Sequence, residues 1–443
     1  MTYIPHTDKD TADMLGALGM KSTQDLFDDI PADMQAKSFN LPRGRSELEV
    51  RHHIRGLARK NATQLISFVG GGFYDHYIPA AVDTVLQRGE FYTAYTPYQP
   101  EISQGTLQAI YEYQTAICRL VDMEVANASL YDGGTALYEA AMMAVRITGR
   151  RKVIVDSAVS PIYRKMLQSY TSNLSLEFVQ AQTLDGVADR DRLKDLLDDK
   201  TAAVILQNPN FFGCIDDLTD VCDMAHAAGA MAVASVYPLS LGLLKTPGAM
   251  GFDIVTGEGQ SLGLPLSFGG PYLGFMATRM EYVRRMPGRL VGATQDAQGR
   301  RGFVLTLQTR EQHIRRENAT SNICTNEALC ALGALVYMSL LGKEGLRDVA
   351  NLCAAKAAYA RQRLGRIPGV SIKYPAPTFN EFAVNLPRDA GDVVGELIEK
   401  GFAAGFPLGR YYKNMEKSLL IAVTEKRSRE EIGRLAEALE GCL

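Results

Sequence analysis

Residues 202–236, AAVILQNPNFFGCIDDLTDVCDMAHAAGAMAVASV, contain two short apolar runs on either side of a helical pattern. The runs Ala202–Gln207 and Met231–Val236 predict buried strands, whereas Leu218–Ala228 has apolar residues at helical spacing. A strand, a helix and a second strand in this order are typical of a βαβ unit, in which the two strands are parallel. This stretch therefore predicts an α/β fold.

The same alternation of strands and helices extends from about residue 61 to 320. Further strands are predicted at Val153–Asp156, Leu176–Val179, Phe252–Val255 and Leu273–Ala277. Further helices are predicted at Gly134–Thr148 and Asp191–Leu197. The pattern indicates a mostly parallel sheet with helices on both faces.

The two ends of the chain have different patterns, so we expect three parts. Residues 1–60 are predicted to form an N-terminal helical arm with two short capped helices, which begin near Thr7 and Ser22. Residues 61–320 form the large α/β domain. Residues 321–443, with a long apolar helix followed by alternating strands and helices, form a smaller C-terminal α/β domain.

Composition excludes several classes of partner and compartment. The 443 residues carry a net charge of -3, which gives no long-range positive field for nucleic acid. The longest apolar run, Ala328–Gly342, is too short to cross a bilayer, and Met1–Asp10 lacks the pattern of a secretory signal. Seven cysteines without a CxxC pair argue against a disulfide framework or a zinc site, so a cytoplasmic protein without a membrane role is expected.

The densest cluster of aromatic and polar residues runs from Phe91 to Gly105, and we call it the tyrosine loop. It contains Tyr92, Tyr95 and Tyr98, together with two prolines that disfavour a helix and stiffen the chain. An ordinary packed loop fits this composition. A rigid aromatic loop also suits the mouth of an active site or a contact between subunits.

Two glycine-containing motifs are candidates for ligand binding. The stretch Tyr131–Ala136 leads into a predicted helix whose start would favour a phosphate, although Asp132 fits better as an N-cap and would repel an anion. The stretch Gly257–Pro271 holds five glycines and two prolines without a P-loop pattern, which indicates tight turns. His76, next to Asp75, is a weak candidate for a general base.

Together, several long motifs resemble the glycine dehydrogenase (decarboxylating) family, the P-proteins of the glycine cleavage system. Within that family the similarity is to the alpha-type chain of the split P-protein, and it covers nearly the full length. The motifs are Tyr3–Thr7, Tyr95–Glu101, Ser103–Gly105, Gly257–Gln260, Phe268–Pro271 and Ser321–Thr325. So many long motifs are unlikely to match by chance.

The resemblance implies the aminotransferase-like fold of pyridoxal-phosphate enzymes of fold type I. It also implies a role in glycine decarboxylation, with transfer of the aminomethyl group to the lipoyl arm of the H-protein. A homologous beta-type chain would hold the pyridoxal phosphate in a heterotetramer, and this chain would be inactive alone. The expected partners are therefore the beta-type subunit, the H-protein and glycine.

The residues that hold the cofactor in such enzymes are missing here. The strand Met231–Val236 and the following Tyr237 contain no aspartate for the pyridinium nitrogen. Gln260 and Ser261 stand where a His-Lys pair is expected, and Lys245, the only lysine in residues 229–342, precedes the strand on the wrong side. Without an amine within reach, this chain cannot form a Schiff base with the cofactor.

The resemblance implies a supporting role for the polar residues of the tyrosine loop, with no individual acid or base duty assigned. They would line the passage to the cofactor of the partner, and Asn322 would belong to the same wall. The loop residues are Tyr95, Thr96, Tyr98, Gln99, Glu101 and Ser103. Two alternatives stay open: a self-sufficient pyridoxal-phosphate enzyme with an unrecognised lysine, and a purely structural scaffold for the beta-type chain.

Overall fold

The chain forms two units in the computed structural model, which describes residues 6–36 and 38–443. The units are Met1–Thr63 and Gln64–Leu443. Residues 1–5, which include the first part of the motif Tyr3–Thr7 and of the segment Met1–Asp10 tested for a secretory signal, lie outside the described residues. Each unit is built around its own local elements.

Short helices with side-chain caps make up the first unit. Helix α1 is Asp8–Ala17, a 3₁₀ turn covers Thr23–Phe27, and helix α2 is Glu47–Ala58. Thr7 and Asp10 cap each other's backbone at the start of α1, as Ser22 and Asp25 do at the 3₁₀ turn. The two predicted capped elements are confirmed, whereas α2 was not predicted.

A seven-stranded sheet forms the centre of the second unit. Its strands are β1 (Val125–Ala126), β2 (Lys152–Asp156), β3 (Glu177–Ala181), β4 (Thr201–Asn208), β5 (Met231–Val236), β6 (Ile254–Glu258) and β7 (Gly274–Thr278). Their order is β1-β7-β6-β5-β4-β2-β3. Strands β2 to β6 are parallel to one another, and β7 runs antiparallel to β6 and β1. The predicted mostly parallel sheet is confirmed.

Helices cover the sheet because its central strands are buried on both faces. All six residues of β5 are buried, which explains its continuous apolar run. The helices of this unit are α3 (Ala80–Leu86), α4 (Gly89–Tyr92), α5 (Gln104–Val121), α6 (Gly133–Thr148), α7 (Pro161–Tyr170), α8 (Arg190–Leu196), α9 (Thr219–Ala227), α10 (Pro247–Met250), α11 (Gln312–Arg315), α12 (Ala328–Leu364), α13 (Ala390–Glu399) and α14 (Arg429–Glu440).

Two smaller sheets follow the central one along the chain. Strands β8 (Leu290–Gln295) and β9 (Arg301–Thr306) form a hairpin. Strands β10 (Ser371–Ile372), β11 (Glu381–Asn385), β12 (Phe406–Pro407) and β13 (Ser418–Ala422) form an antiparallel sheet in the order β10-β11-β13-β12. Two further pairs of two-residue strands complete the strands: Ile66–Ser67 with Phe402–Ala403, and Thr183–Leu184 with Val187–Ala188.

Helix α12 connects the core of the central sheet with that of the C-terminal sheet. Tyr337 and Cys353 are buried in the first core, and Ala360 and Leu364 are buried in the second. By length and composition α12 is also apolar enough to cross a bilayer, but Gly342, at φ 59° and ψ -169°, interrupts it in the middle. These contacts indicate a core helix, and the division of the chain near residue 320 stays a prediction.

Candidate functional site

The carboxyl ends of three parallel strands meet at a small internal cavity. Strands β4, β5 and β6 end there, which is where open α/β sheets bind ligands. The residues around the cavity are Gly72, Tyr74, Ser160, Tyr163, Gln207, Pro209, Asn210, Gly213, Ser235, Val236, Tyr237, Glu258, Asn380 and Glu381. Its volume is about 30 Å³, whereas ligand pockets have roughly 300–1,000 Å³. The space is close to that of one water molecule.

The side-chain carboxylate of Glu258, the last residue of β6, lies at the N-terminal end of helix α6. Its Oε2 accepts a hydrogen bond from the Gly133 N–H at 2.9 Å, and its Oε1 accepts from the N–H groups of Gln260 and Leu273, each at 3.0 Å. Burial raises the pKa of Glu258 to about 7, and these backbone donors oppose that rise. Asp132 caps the same helix through the Thr135 N–H, so the predicted N-cap is confirmed.

A second buried carboxyl group, that of Glu381 on β11, faces the same cavity. Its Oε1 accepts from the Gly71 N–H at 2.7 Å, and its Oε2 accepts from the Tyr74 hydroxyl at 2.9 Å. Burial raises the pKa of Glu381 to about 7. The cavity is thus lined by two acids and three tyrosines, and no lysine or arginine is among the described residues around it.

The structure also locates the residues at the expected cofactor positions. Gln260 is buried, and its side chain holds the backbone at Tyr74 in place. The side-chain oxygen accepts from the Tyr74 N–H, and the side-chain nitrogen donates to the Tyr74 C=O. Ser261 is buried as well, and its hydroxyl has no partner within the described part of the chain. Lys245 lies elsewhere, with its Nζ 2.6 Å from Thr219 Oγ1 and 3.5 Å from Asp217.

His76 belongs to a buried hydrogen-bonded group. Its Nδ1 lies 2.6 Å from Glu425 Oε2, its Nε2 contacts the Tyr237 hydroxyl, and Cys353 Sγ lies 3.4 Å from the same Glu425 oxygen. The side-chain ligand atoms of His76, Cys353 and Glu425 lie within 4.8 Å of one another, as in a metal site. Glu425 is hydrogen-bonded to both His76 and Cys353, so this group connects the segment around His76 with the C-terminal part of the chain. His76 is buried and is therefore not placed as a general base on the surface.

The tyrosine loop is separate from this cavity and largely faces outward. Tyr95 is 86% exposed and Tyr98 is 47% exposed, while Gln99 and Glu101 are exposed as well. Thr96 and Ser103 are half-buried, and Ser103 precedes the first residue of α5. The loop therefore presents polar and aromatic side chains on the surface of the second unit.

Arg289, which was not predicted, joins the tyrosine loop to the segment 321–327. Its Nη1 donates to Asn326 Oδ1 at 3.0 Å and its Nη2 donates to the Cys324 carbonyl at 2.6 Å. The same Nη2 lies 3.5 Å from the Tyr98 hydroxyl, and the guanidinium carbon lies 5.7 Å from the centre of the Tyr98 ring. The structure thus brings two of the predicted site segments together around one buried arginine.

Asn322 is exposed, and Ser321 and Cys324 attach its segment to helix α6 and to the residues before that helix. Ser321 donates to Glu139 Oε1 at 2.7 Å, and the Cys324 N–H donates to the Tyr131 hydroxyl at 3.3 Å. Tyr131 immediately precedes the start of α6, where Glu258 is bound. The segment 321–327 beside the tyrosine loop and the internal cavity are therefore connected through residues 131–133.

Known proteins match the chain over its whole length. The family described as glycine cleavage system P-protein matches residues 1–439. The probable glycine dehydrogenase (decarboxylating) subunit 1 of Geotalea uraniireducens is 58% identical, and so is that of Nitratidesulfovibrio vulgaris; each alignment covers 100% of both chains. These relatives belong to the family that the sequence motifs resemble.

Solved structures match the fold as well. A crystal structure of glycine decarboxylase (P-protein) of the glycine cleavage system, in inhibitor-bound form, is 45% identical, with a TM-score of 0.95 over 100% of both chains. A glutamate decarboxylase of Lactobacillus brevis, at 13% identity and a TM-score of 0.69, covers 94% of this chain and 97% of its own. The predicted aminotransferase-like fold is confirmed.

Proposed function

Because this chain belongs to the glycine cleavage system P-protein family, we propose that it is the subunit of glycine decarboxylase that does not itself hold pyridoxal phosphate. The chain is a glycine decarboxylase P-protein subunit of the subunit 1 type, and its fold is that of pyridoxal-phosphate enzymes. The cofactor would then sit on the beta-type subunit. The H-protein, through its lipoyl arm, would receive the aminomethyl group, and the assembly would work in the cytoplasm.

One observation carries this assignment: Glu258 fills the anion-binding start of helix α6. A phosphate at that place would need the Gly133 N–H, which already donates to the Glu258 carboxylate. A second anion beside a carboxylate would be repelled. The group does not fit this chain.

The surrounding residues support the same conclusion. A cavity of about 30 Å³ cannot admit a pyridine ring with its phosphate. Strand β5 and the Tyr237 that follows it contain no aspartate for a pyridinium nitrogen, and Gln260 and Ser261 follow β6 where a Schiff-base lysine would be expected. We therefore derive no chemical step from a cofactor inside this chain.

We assign the contribution of this chain to the tyrosine loop. Tyr95, Tyr98, Gln99 and Glu101 present hydrogen-bonding groups at the surface, where they can line the passage to a cofactor held by the beta-type subunit. Thr96, Ser103 and Asn322 belong to the same proposed wall. Their part is to bind and orient the substrate and to limit the access of water.

Reconstitution tests the assignment. Glycine-dependent carbon dioxide exchange is measured for this chain, for the beta-type chain and for both, each with added pyridoxal phosphate. We expect activity from the mixture alone, and we expect no absorbance of a Schiff base on this chain after dialysis. A Schiff base that borohydride fixes to any lysine of this chain, Lys245 included, would contradict the proposal.

The scaffold alternative makes a different prediction for the loop. Tyr98→Ala changes a half-exposed side chain, so the chain should keep its fold and its affinity for the beta-type subunit. If the loop lines the reaction passage, turnover of the reconstituted complex falls about tenfold or more. Unchanged turnover with normal assembly would favour a purely structural scaffold.

A further inference from the structure

We infer that Arg289 is a positioning residue, which fixes Tyr98 and supplies the positive charge that draws the carboxylate of the amino acid substrate to the tyrosine loop. This inference rests on the proposed function, because it assumes that the loop lines the substrate passage. It goes beyond that function by naming a residue that no sequence motif indicated, together with the substrate group that the residue serves.

The first reason is that no carboxylate of the described residues forms an ion pair with the Arg289 guanidinium. The side chain is 4% exposed, and its acceptors Asn326 Oδ1 and the Cys324 carbonyl are both neutral. Within the described residues, Arg289 forms no ion pair with a carboxylate, and its Nε has no hydrogen-bond partner. A buried charge that is satisfied only by neutral groups keeps its field, which extends to the nearest polar surface.

The second reason is that this nearest polar surface is Tyr98. Arg289 lies against the ring at 5.7 Å from its centre, and the His313 ring packs edge-on from another side at a centroid distance of 5.6 Å. The tyrosine is thus held by two neighbours while half of its side chain stays exposed. Because Arg289 Nη2 approaches the hydroxyl oxygen, the hydroxyl proton is free to be donated outward.

These two features specify the class of ligand. An outward O–H donor with a cation behind it stabilises an anionic acceptor, and carboxylates are such acceptors. Glycine carries its carboxylate until decarboxylation, so an interaction here acts on the bound substrate. The interaction should therefore appear mainly in the KM for glycine.

Arg310 provides a matched control. It is also a partly buried arginine, and its Nε and Nη2 donate to the backbone carbonyls of Leu307 and Gly288 at 3.1 and 2.8 Å. Arg310 belongs to the same segment of the chain as Arg289, but its hydrogen bonds go to the backbone and not to Tyr98. A structural effect of losing a buried arginine should therefore be similar at both positions.

The test compares Arg289→Gln, Arg289→Lys and Arg310→Gln in the complex reconstituted with the beta-type subunit. We expect Arg289→Gln to raise the KM for glycine about tenfold, the effect of one charge-assisted hydrogen bond, with a smaller change in kcat. Arg289→Lys should recover part of the loss, because it restores the charge. Arg310→Gln should leave the KM within about twofold of the parent value.

A double-mutant cycle distinguishes action through Tyr98 from a general loss of structure. In a Tyr98→Phe background, Arg289→Gln should add less than it does alone, because the hydroxyl it acts on is gone. His313→Ala, at a partly exposed position, should also raise the KM for glycine. Thermal unfolding of each variant reports its stability separately.

The outcomes separate the two proposals. If the Tyr98 variants lower turnover but the effects of Arg289→Gln and Arg310→Gln on KM are equal, or Arg289→Gln is fully additive with Tyr98→Phe, the role of Arg289 is overturned and the loop assignment stands. If the Tyr98 variants leave both the turnover and the KM for glycine unchanged, the loop assignment itself is overturned, and the role of Arg289 with it.

Discussion

Glu258 and Glu381 are two buried carboxyl groups that line the same small cavity. Each accepts hydrogen bonds, yet burial still raises the pKa of each to about 7. A group with a raised pKa in the folded state binds its proton more tightly there than in the unfolded chain. Its contribution to stability is therefore complete below about pH 4.5 and is lost as the pH rises through about 7.

The raised pKa of Glu381 predicts how Glu381→Gln changes the stability of the chain. A glutamine can accept from the Gly71 N–H and donate to the Tyr74 hydroxyl, so the variant keeps both bonds without a charge. At pH 9 its free energy of unfolding should exceed that of the parent by up to about 3 kcal/mol, from about 1.4 kcal/mol per pKa unit. At pH 5 the two should be nearly equal. Urea unfolding at both pH values measures the difference.

Glu258→Gln is the contrasting variant. All three partners of Glu258 are backbone donors, so one of them, such as the Gly133 N–H, would face the new amide donor. We expect no gain in stability at pH 9. An equal gain for both variants would show that these hydrogen bonds do not govern the stability of the two sites.

At the level of elements, the start of helix α6 depends on the absence of a side chain. A Cβ on Gly133 would lie 2.5 Å from the Tyr163 hydroxyl and 3.0 Å from Glu258 Cβ, and a Cβ on Gly134 would lie 2.4 Å from Met166 Sδ. The two glycines let helix α6 approach β6 and α7 closely. Because helix α6 packs on four strands of the central sheet, an error at its start affects the whole core.

Gly133→Ala should therefore destabilise the chain by about 2 kcal/mol or more, as overpacking does. Tyr163→Phe removes the nearest atom, so it should restore part of the loss in the double variant. Gly89→Ala, in another helix where a Cβ would meet nothing within 4 Å, is the control and should change stability by less than about 1 kcal/mol. Denaturant midpoints of the parent and of the Gly133→Ala, double and Gly89→Ala variants measure these differences in stability. If the double variant is as unstable as Gly133→Ala alone, the contact with Tyr163 is not the cause of the loss.

The strands were predictable because burial on both faces gives an unbroken apolar run. Met231–Val236 was predicted with both ends correct, and the predicted Gly134–Thr148 helix begins one residue earlier in the structure. The tyrosine loop and the missing lysine could also be read from the sequence. Arg289 could not, since a lone arginine before a strand carries no pattern, and its role depends on contacts with residues 35 and 191 positions away.

At the level of the whole molecule, the hydrophobic cores of the described chain all lie within Gln64–Leu443. The largest combines the central sheet with α5 and α12, and a second contains the C-terminal sheet with Phe68. The segment from Ile66 to Tyr74 thus contributes to both cores. This distribution predicts that the second unit folds without the first.

A chain that begins at Gln64 should therefore unfold cooperatively, with a melting temperature within about 5 °C of the full-length value. If the first unit, which the sequence predicted to be a helical arm, contacts the beta-type subunit, the shortened chain should bind that subunit more weakly. Calorimetry and analytical ultracentrifugation measure the two properties. A shortened chain that aggregates or unfolds without a transition would show that the cores need residues 1–63.

If this chain has lost the cofactor, as proposed above, the carboxylate at the start of helix α6 would make that loss hard to reverse. Returning an amine at position 261 would leave a site whose phosphate position is still blocked by a tethered acid, with room for little more than water. Removing that acid alone would expose three backbone donors and still leave no imine partner. Each single step back is unproductive, so a return to self-sufficient catalysis would require several substitutions at once.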